Sequence, residues 1–293
     1  MGFVSRKILL KSSRQLNFAL SNFSVPFSFV NDFSYGSGVY VGMLDQGGDK
    51  SIYSFDGLNW SLANLPTTPT PGTWKGVAFG NNIFVAINGT TIGAYSSNGI
   101  NWTLMAVPDR LEHITYDNGI FLAIGLSPTN GASIAARSTN GTSWTQVTIP
   151  GFRGAQSINY GNGIFLCKEF EATARSIDGI NWSVSTAPNG GTTMTFGNGF
   201  FVSRNGNIFD ISSDGINWNS STAMNLPNEG GPSISFGRNV FLTSFLNSNI
   251  VAYSSDAINW TILNSIPYGY WRTSKYLNEK FLIGGYGEIL TST

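Results

Sequence analysis

A seven-residue motif recurs six times along this chain of 293 residues, and no other feature limits the possible folds so sharply. The copies read SFDGLNW ending at Trp60, SSNGINW at Trp102, STNGTSW at Trp144, SIDGINW at Trp182, SSDGINW at Trp218 and SSDAINW at Trp260. A degenerate seventh copy, Ser12 to Phe18, places an aromatic residue 42 positions before Trp60. The aromatic spacings are then 42, 42, 42, 38, 36 and 42. A period of this length marks a repeat architecture, in which each unit buries its faces against its neighbours.

A second motif precedes the later boxes by about 25 residues: YGSGVYV from Tyr35, FGNNIFVAI from Phe79, YDNGIFLAI from Tyr116, YGNGIFL from Tyr160, FGNGFFV from Phe196, FGRNVFL from Phe236 and YLNEKFL from Tyr276. Each joins an aromatic strand end, a two-residue turn and an alternating apolar strand, the pattern of a tight hairpin. These two strands are named a and b. The box is a second hairpin: Ser closes strand c, Asp-Gly or Asn-Gly turns, and Trp opens strand d.

Four short strands per repeat predict an all-β, seven-bladed β-propeller with four-stranded antiparallel blades. The chain reads as a single domain over 1–293, with blades at about 30–63, 74–105, 112–147, 155–185, 192–221, 232–263 and 272–293, and a closing segment at 1–21. Residues 289–293 match strand c and lack a strand d, whereas residues near Leu16 to Leu20 resemble a strand d with nothing before it. The N-terminal strand is therefore expected to pair with the C-terminal blade and leave no open edge. Ile8 to Leu10 compete with Glu288 to Leu290 for the strand c place in that blade.

Charge narrows the partners. Sixteen basic residues cancel sixteen acidic ones, and charged residues make up only 11% of the chain. No net field draws the protein to nucleic acid or an anionic membrane surface. Cys167 is the one cysteine, so no internal disulfide forms, and it reads as a buried apolar residue. The apolar cluster Ile8-Leu9-Leu10 is too short for a signal-peptide core or a membrane span. Neither export by a classical signal nor membrane insertion is expected.

Within the boxes, Asp56, Asn98, Asn140, Asp178, Asp214 and Asp256 are expected to accept backbone hydrogen bonds in their own turns. Trp60, Trp102, Trp144, Trp182, Trp218 and Trp260 are expected to fill the gaps between blades. Ala257 stands where five boxes have Gly, and Arg14-Gln15 replaces the turn pair in the degenerate copy, so both turns should be strained or loosened. The boxes resemble the Asp-box, or BNR, repeats of sialidases, sortilin-like receptors and photosystem II assembly propellers, and the similarity covers nearly the whole chain. The usual Asp-box has one more residue between Asp and Gly. The shorter form, combined with FGNGIFVAI-like hairpins, is similar to propellers of bacterial and bacteriophage surface or virion proteins.

The search for chemistry belongs on the face formed by the d-to-a and b-to-c loops, which vary from blade to blade. The d-to-a loops carry Arg110, Glu112, His113, Arg153, Tyr268, Tyr270, Trp271 and Arg272, and the b-to-c loops add Asp45, Asp49, Lys50, Lys168, Glu169 and Glu171. Trp74 and Trp271 lie outside the boxes, just before strand a; their equivalent positions point to packing, with stacking of an exposed indole on a sugar as the alternative. Trp271, preceded by Tyr268 and Tyr270, is the better ligand candidate. His113, the only histidine, reads as a core or rim residue. A sialidase-like site would need Arg110, Arg153 and Arg272 to converge with Glu112 and Tyr270 on the ring axis, but none of these sits in a recognisable motif. No nucleophile triad, phosphate loop or Cys/His metal spacing is present, so neither metal nor cofactor is implied. Asn59, Asn101, Asn181 and Asn259 are glycosylation acceptors inside boxes, which favours a bacterial or phage source over a eukaryotic secretory one. The expectation is a non-enzymatic binding or structural propeller of a virion, phage tail or bacterial surface, docking to other protein subunits or to a host surface. A carbohydrate-binding lectin is the alternative, and a glycosidase the second.

Overall fold

The computed structural model describes residues 16–23, 28–68, 72–127, 131–187, 190–191, 193–228 and 233–293. These residues form seven four-stranded antiparallel sheets and no helix. Six sheets take four consecutive strands each. Blade 1, for example, consists of Val30–Gly36, Val39–Leu44, Lys50–Ser54 and Ser61–Asn64. The innermost strands of blades 2 to 7 are Gly76–Gly80, Arg110–Asp117, Ser157–Gly161, Thr193–Gly197, Ser233–Gly237 and Thr273–Leu277, and each contacts the next around a closed ring.

Blade 7 is assembled from both chain ends. Its strand order is Thr273–Leu277, Lys280–Gly284, Glu288–Ser292 and then Phe18–Asn22, with Phe18 opposite Ser292 and Leu20 opposite Leu290. Glu288 to Leu290 thus hold the strand c place. Ile8 to Leu10 and Arg14-Gln15 lie outside the described residues.

Turn chemistry sets the inner hairpins. At all seven a-to-b turns both central residues have positive φ, as in Asn162 (49°) and Gly163 (79°), or Arg238 (49°) and Asn239 (60°). This is the mirror-image turn whose twist matches that of the strands. The box turn is a hydrogen-bonded unit. The Ser54 hydroxyl accepts from the Gly57 N–H at 2.8 Å, and Asp56 Oδ1 accepts from the N–H groups of Leu58 and Asn59, each at 2.8 Å. Asn98 Oδ1 takes the same two bonds from Ile100 and Asn101 at 3.0 and 2.9 Å. Ala257 adopts a φ of 60° with its methyl fully buried, a backbone conformation costly for any residue with a Cβ.

Seven apolar clusters fill the seven gaps between blades. Each box indole joins one. Trp102, for example, packs with Val41 and Met43 of blade 1 and Phe84 and Ala86 of its own blade. Cys167 is buried in the cluster between blades 3 and 4. A second contact recurs nearer the axis: the aromatic residue ending strand a lies on the glycine ending strand a of the preceding blade. A Cβ on Gly36, Gly161, Gly197 or Gly237 would come within 2.0–2.2 Å of the ring of Phe79, Phe196, Phe236 or Tyr276. Blades can approach this closely only where the backbone carries no side chain.

Two predictions follow the geometry. Gly197→Ala drives a methyl into the Phe236 ring and should cost about 3 kcal/mol in chemical denaturation, whereas Gly163→Ala, at positive φ in open space, should cost only about 1 kcal/mol. Equal losses would show that the ring contact is not the constraint. Hydrogen bonds from box N–H groups, Asn59 and Leu58 in the first case, hold the carboxyls of Asp56, Asp178 and Asp214 well below the usual range. For Asp256 burial pushes upward, but bonds from Asn259 and Ile258 outweigh it and leave the carboxyl at about 2. Folded values below unfolded ones mean that this stability is present above about pH 4 and is lost as the pH falls toward 2. The double variant Asp178→Asn/Asp214→Asn should lose stability less steeply across that window, and an unchanged acid slope would refute the assignment.

Candidate binding site on the loop face

The seven inner strands surround an axial cavity of about 560 Å³. Its wall is mostly polar because these strands present their free edges to it, and side chains of one blade cap backbone groups of the next. Asn31 Nδ2 donates to the Trp74 carbonyl at 2.9 Å, Asn159 Nδ2 to that of Met194 at 2.8 Å, and Asp32 Oδ2 accepts from the Val77 N–H at 3.1 Å. Asp32 also pairs with Lys275 at 3.0 Å. Glu112, His113 and Lys75 line the same wall. Burial lowers the pKa of His113, which favours neutral imidazole.

At the cavity's edge the loops of blades 7 and 1 bring together an aromatic and ionic cluster. Arg272, which lines the cavity, pairs with Asp45 at 3.0 Å and sets its guanidinium 5.4 Å from the centre of the Phe29 ring. Tyr286 lies 4.9 Å from Phe29 at a tilt of 59°, and Tyr270 meets Phe29 edge-on at 6.4 Å. The Phe29 N–H donates to Asp45 Oδ1 at 2.8 Å, so one carboxylate fixes both the arginine and the backbone under the ring. Tyr270 and Tyr286 are 47% and 37% exposed, so the cluster presents aromatic surface to solvent.

Several sequence-based expectations need correction. Trp271 is fully buried, packed among Leu242, Ile283 and Leu290, with its indole N–H donated to the Ser248 carbonyl at 3.1 Å. Trp74 is buried in the cluster between blades 1 and 2. Neither indole can stack on a ligand. In both blades the residue two positions before strand a lies in the gap between blades, which its large ring fills. The three arginines do not converge: Arg272 lines the cavity, whereas Arg110 and Arg153 are exposed and outside its lining, so a sialidase-like carboxylate clamp is not assembled. Glu112 is in the cavity wall, and Tyr268 is exposed on its loop. Arg153 is tied through its backbone N–H to Glu169 at 2.7 Å. Lys168 ends strand b of blade 4 fully buried, and burial lowers its pKa. Phe29 and Tyr286 were not anticipated, because they sit outside both repeat motifs and meet only when the two chain ends close the ring.

No protein-family model matches the chain, and no curated protein matches it. Solved structures resemble it over nearly their whole length. A structure of YCF48 bound to D1 peptide has 14% identity and a TM-score of 0.76, covering 94% of this chain and 96% of that chain. A streptogramin B lyase structure has 13% identity and a TM-score of 0.79, with 95% and 97% covered. The WD40 β-propeller domain of Doa1 has 10% identity and a TM-score of 0.69, also with 95% and 97% covered. At these identities the likeness establishes the seven-bladed ring and nothing finer. It also corrects the expectation that the chain is not an enzyme: the same ring houses a lyase, so the architecture gives no ground for setting catalysis aside. No described helix is long and apolar enough to cross a membrane.

Because Trp271 is core, Trp271→Ala should cost about 3–5 kcal/mol of stability, as expected for truncating a buried indole. Arg272→Ala, removing a half-exposed pair, should cost no more than about 1 kcal/mol. A Trp271→Ala protein that unfolds like the parent would place the indole at the surface instead.

Proposed function

We propose that this chain is a docking propeller that holds a segment of a partner protein on its loop face, at the Phe29–Tyr270–Tyr286 cluster beside Arg272. The observation carrying this reading is the cluster itself. Exposed tyrosines and an arginine, locked by packing and by the Asp45 pair, are the residue types that dominate binding energy at protein interfaces. Rigid rings provide contact area at small entropic cost. The loops of the other blades differ in length and chemistry, which suits one composite surface better than seven equivalent sites. The peptide-bound YCF48 structure offers a precedent for a peptide on a ring of this shape. The short boxes and their hairpins support a finer reading, in which the partner is another subunit of a phage particle or bacterial surface assembly. The glycan-binding alternative has lost its basis, since both indoles it relied on are buried.

A photo-crosslinking amino acid at position 270 should trap one partner protein from particles or envelopes of the source organism. Tyr270→Ala/Tyr286→Ala should weaken binding of that partner at least tenfold, with the melting temperature within about 2 °C of the parent, as for surface changes. Unchanged affinity in the double variant would move the docking surface elsewhere.

A further inference from the structure

Charge is spread unevenly around the axial cavity. Blades 4, 5 and 6 line it with hydroxyls and amides, among them Ser157, Asn159, Thr193, Thr195 and Ser235. Blades 7, 1, 2 and 3 contribute Lys275, Asp32, Lys75, Glu112 and His113. The ring does not require these charges, since blades 4, 5 and 6 build the same inner strands without them. Two are already matched: Lys275 with Asp32, as Arg272 is with Asp45 at the mouth.

Lys75 and Glu112 are not matched. Lys75 immediately precedes the inner strand of blade 2 and Glu112 stands on that of blade 3, both half-buried in the wall, and among the described residues neither side chain has an ion-pair or hydrogen-bond partner. Both lie near enough to His113 to act on its charge in opposite senses. Holding an unmatched charge of each sign partly out of water works against folding, and it does nothing for the packing of the blades. A ligand bearing only an anion would meet Glu112, and one bearing only a cation would meet Lys75. A ligand carrying both offsets both.

We propose that the cavity is a binding site for a small zwitterion of the amino-acid class. The ligand's carboxylate is held by the Lys75 ammonium, its own ammonium by the Glu112 carboxylate, and its side chain faces the hydroxyl and amide arc of blades 4 to 6. A volume of about 560 Å³ is within the usual range for small-molecule sites. The site is inside the ring, apart from the tyrosines at the mouth, so it stands or falls independently of the docking surface.

The test is calorimetric titration of the full chain, at pH 7 and low salt, with each of the twenty common free L-amino acids, and with acetate and methylammonium as single-charge controls. At least one amino acid should bind saturably with one site per chain. Lys75→Met and Glu112→Gln should each weaken that binding at least tenfold while the melting temperature holds or rises, and Tyr270→Ala/Tyr286→Ala should leave it unchanged. Should either charge variant fail to fold, acetylation of Lys75 in the parent provides the same test: the bound amino acid should protect the amine, and equal labelling with and without it would overturn the proposal. So would the absence of saturable binding by any of the twenty, binding retained in both charge variants, or equally tight binding of acetate or methylammonium alone.

Discussion

Blade-to-blade contact is the constraint on which the rest of the molecule depends. No blade of four short strands has a core of its own, since a sheet of this size exposes both faces until its neighbours cover them. The ring solves this with one apolar cluster per gap and, nearer the axis, with an aromatic ring laid on bare backbone, as where Phe236 covers Gly197. The glycine sets how close two inner strands come, and five such approaches, at Gly36, Gly80, Gly161, Gly197 and Gly237, help set the width of the axial cavity. Every functional feature inherits that geometry: the cavity is polar because the inner strands are free edges, and its mouth is rigid because its loops hang from packed blades.

Closure by the chain ends gives the ring its one irregular seam, and the candidate docking cluster lies there. Phe29 belongs to the connection entering blade 1, and Tyr270, Arg272 and Tyr286 belong to blade 7, so residues more than 200 positions apart meet across the join. Five of the seven gaps separate blades that are each made from one continuous stretch of chain. Only at the seam does the connection run from a strand borrowed from the far end, and its course past Phe29 brings it against the loop at Tyr286.

What could be read from the sequence was what repeats. Tryptophan spacing, turn pairs and the missing half-blades at each end led to seven blades and to the shared one, because turn chemistry and period-two patterning are local properties of a short stretch. Contacts between repeats left weaker marks. Gly36 and Gly197 read as turn residues next to Ser37-Gly38 and Asn198-Gly199, and nothing in one repeat shows that the glycine's neighbour is the next blade's ring. Trp74 and Trp271 share a place just before strand a, and that common position was a legible sign of the packing role both have; only the alternative of a sugar-stacking indole fails. The seam cluster and the unmatched Lys75–Glu112 pair are one-off arrangements between distant positions, which a single sequence does not reveal.

Amide hydrogen exchange of residues 18–22 tests the closed ring most directly. If the N-terminal strand completes blade 7, these amides should be protected to the same degree as those of an outer strand made within one blade, such as Asn219–Thr222. Exchange at the rate of an unfolded chain in residues 18–22, with the remaining blades still protected, would contradict closure by the chain ends and the seam-built site that depends on it.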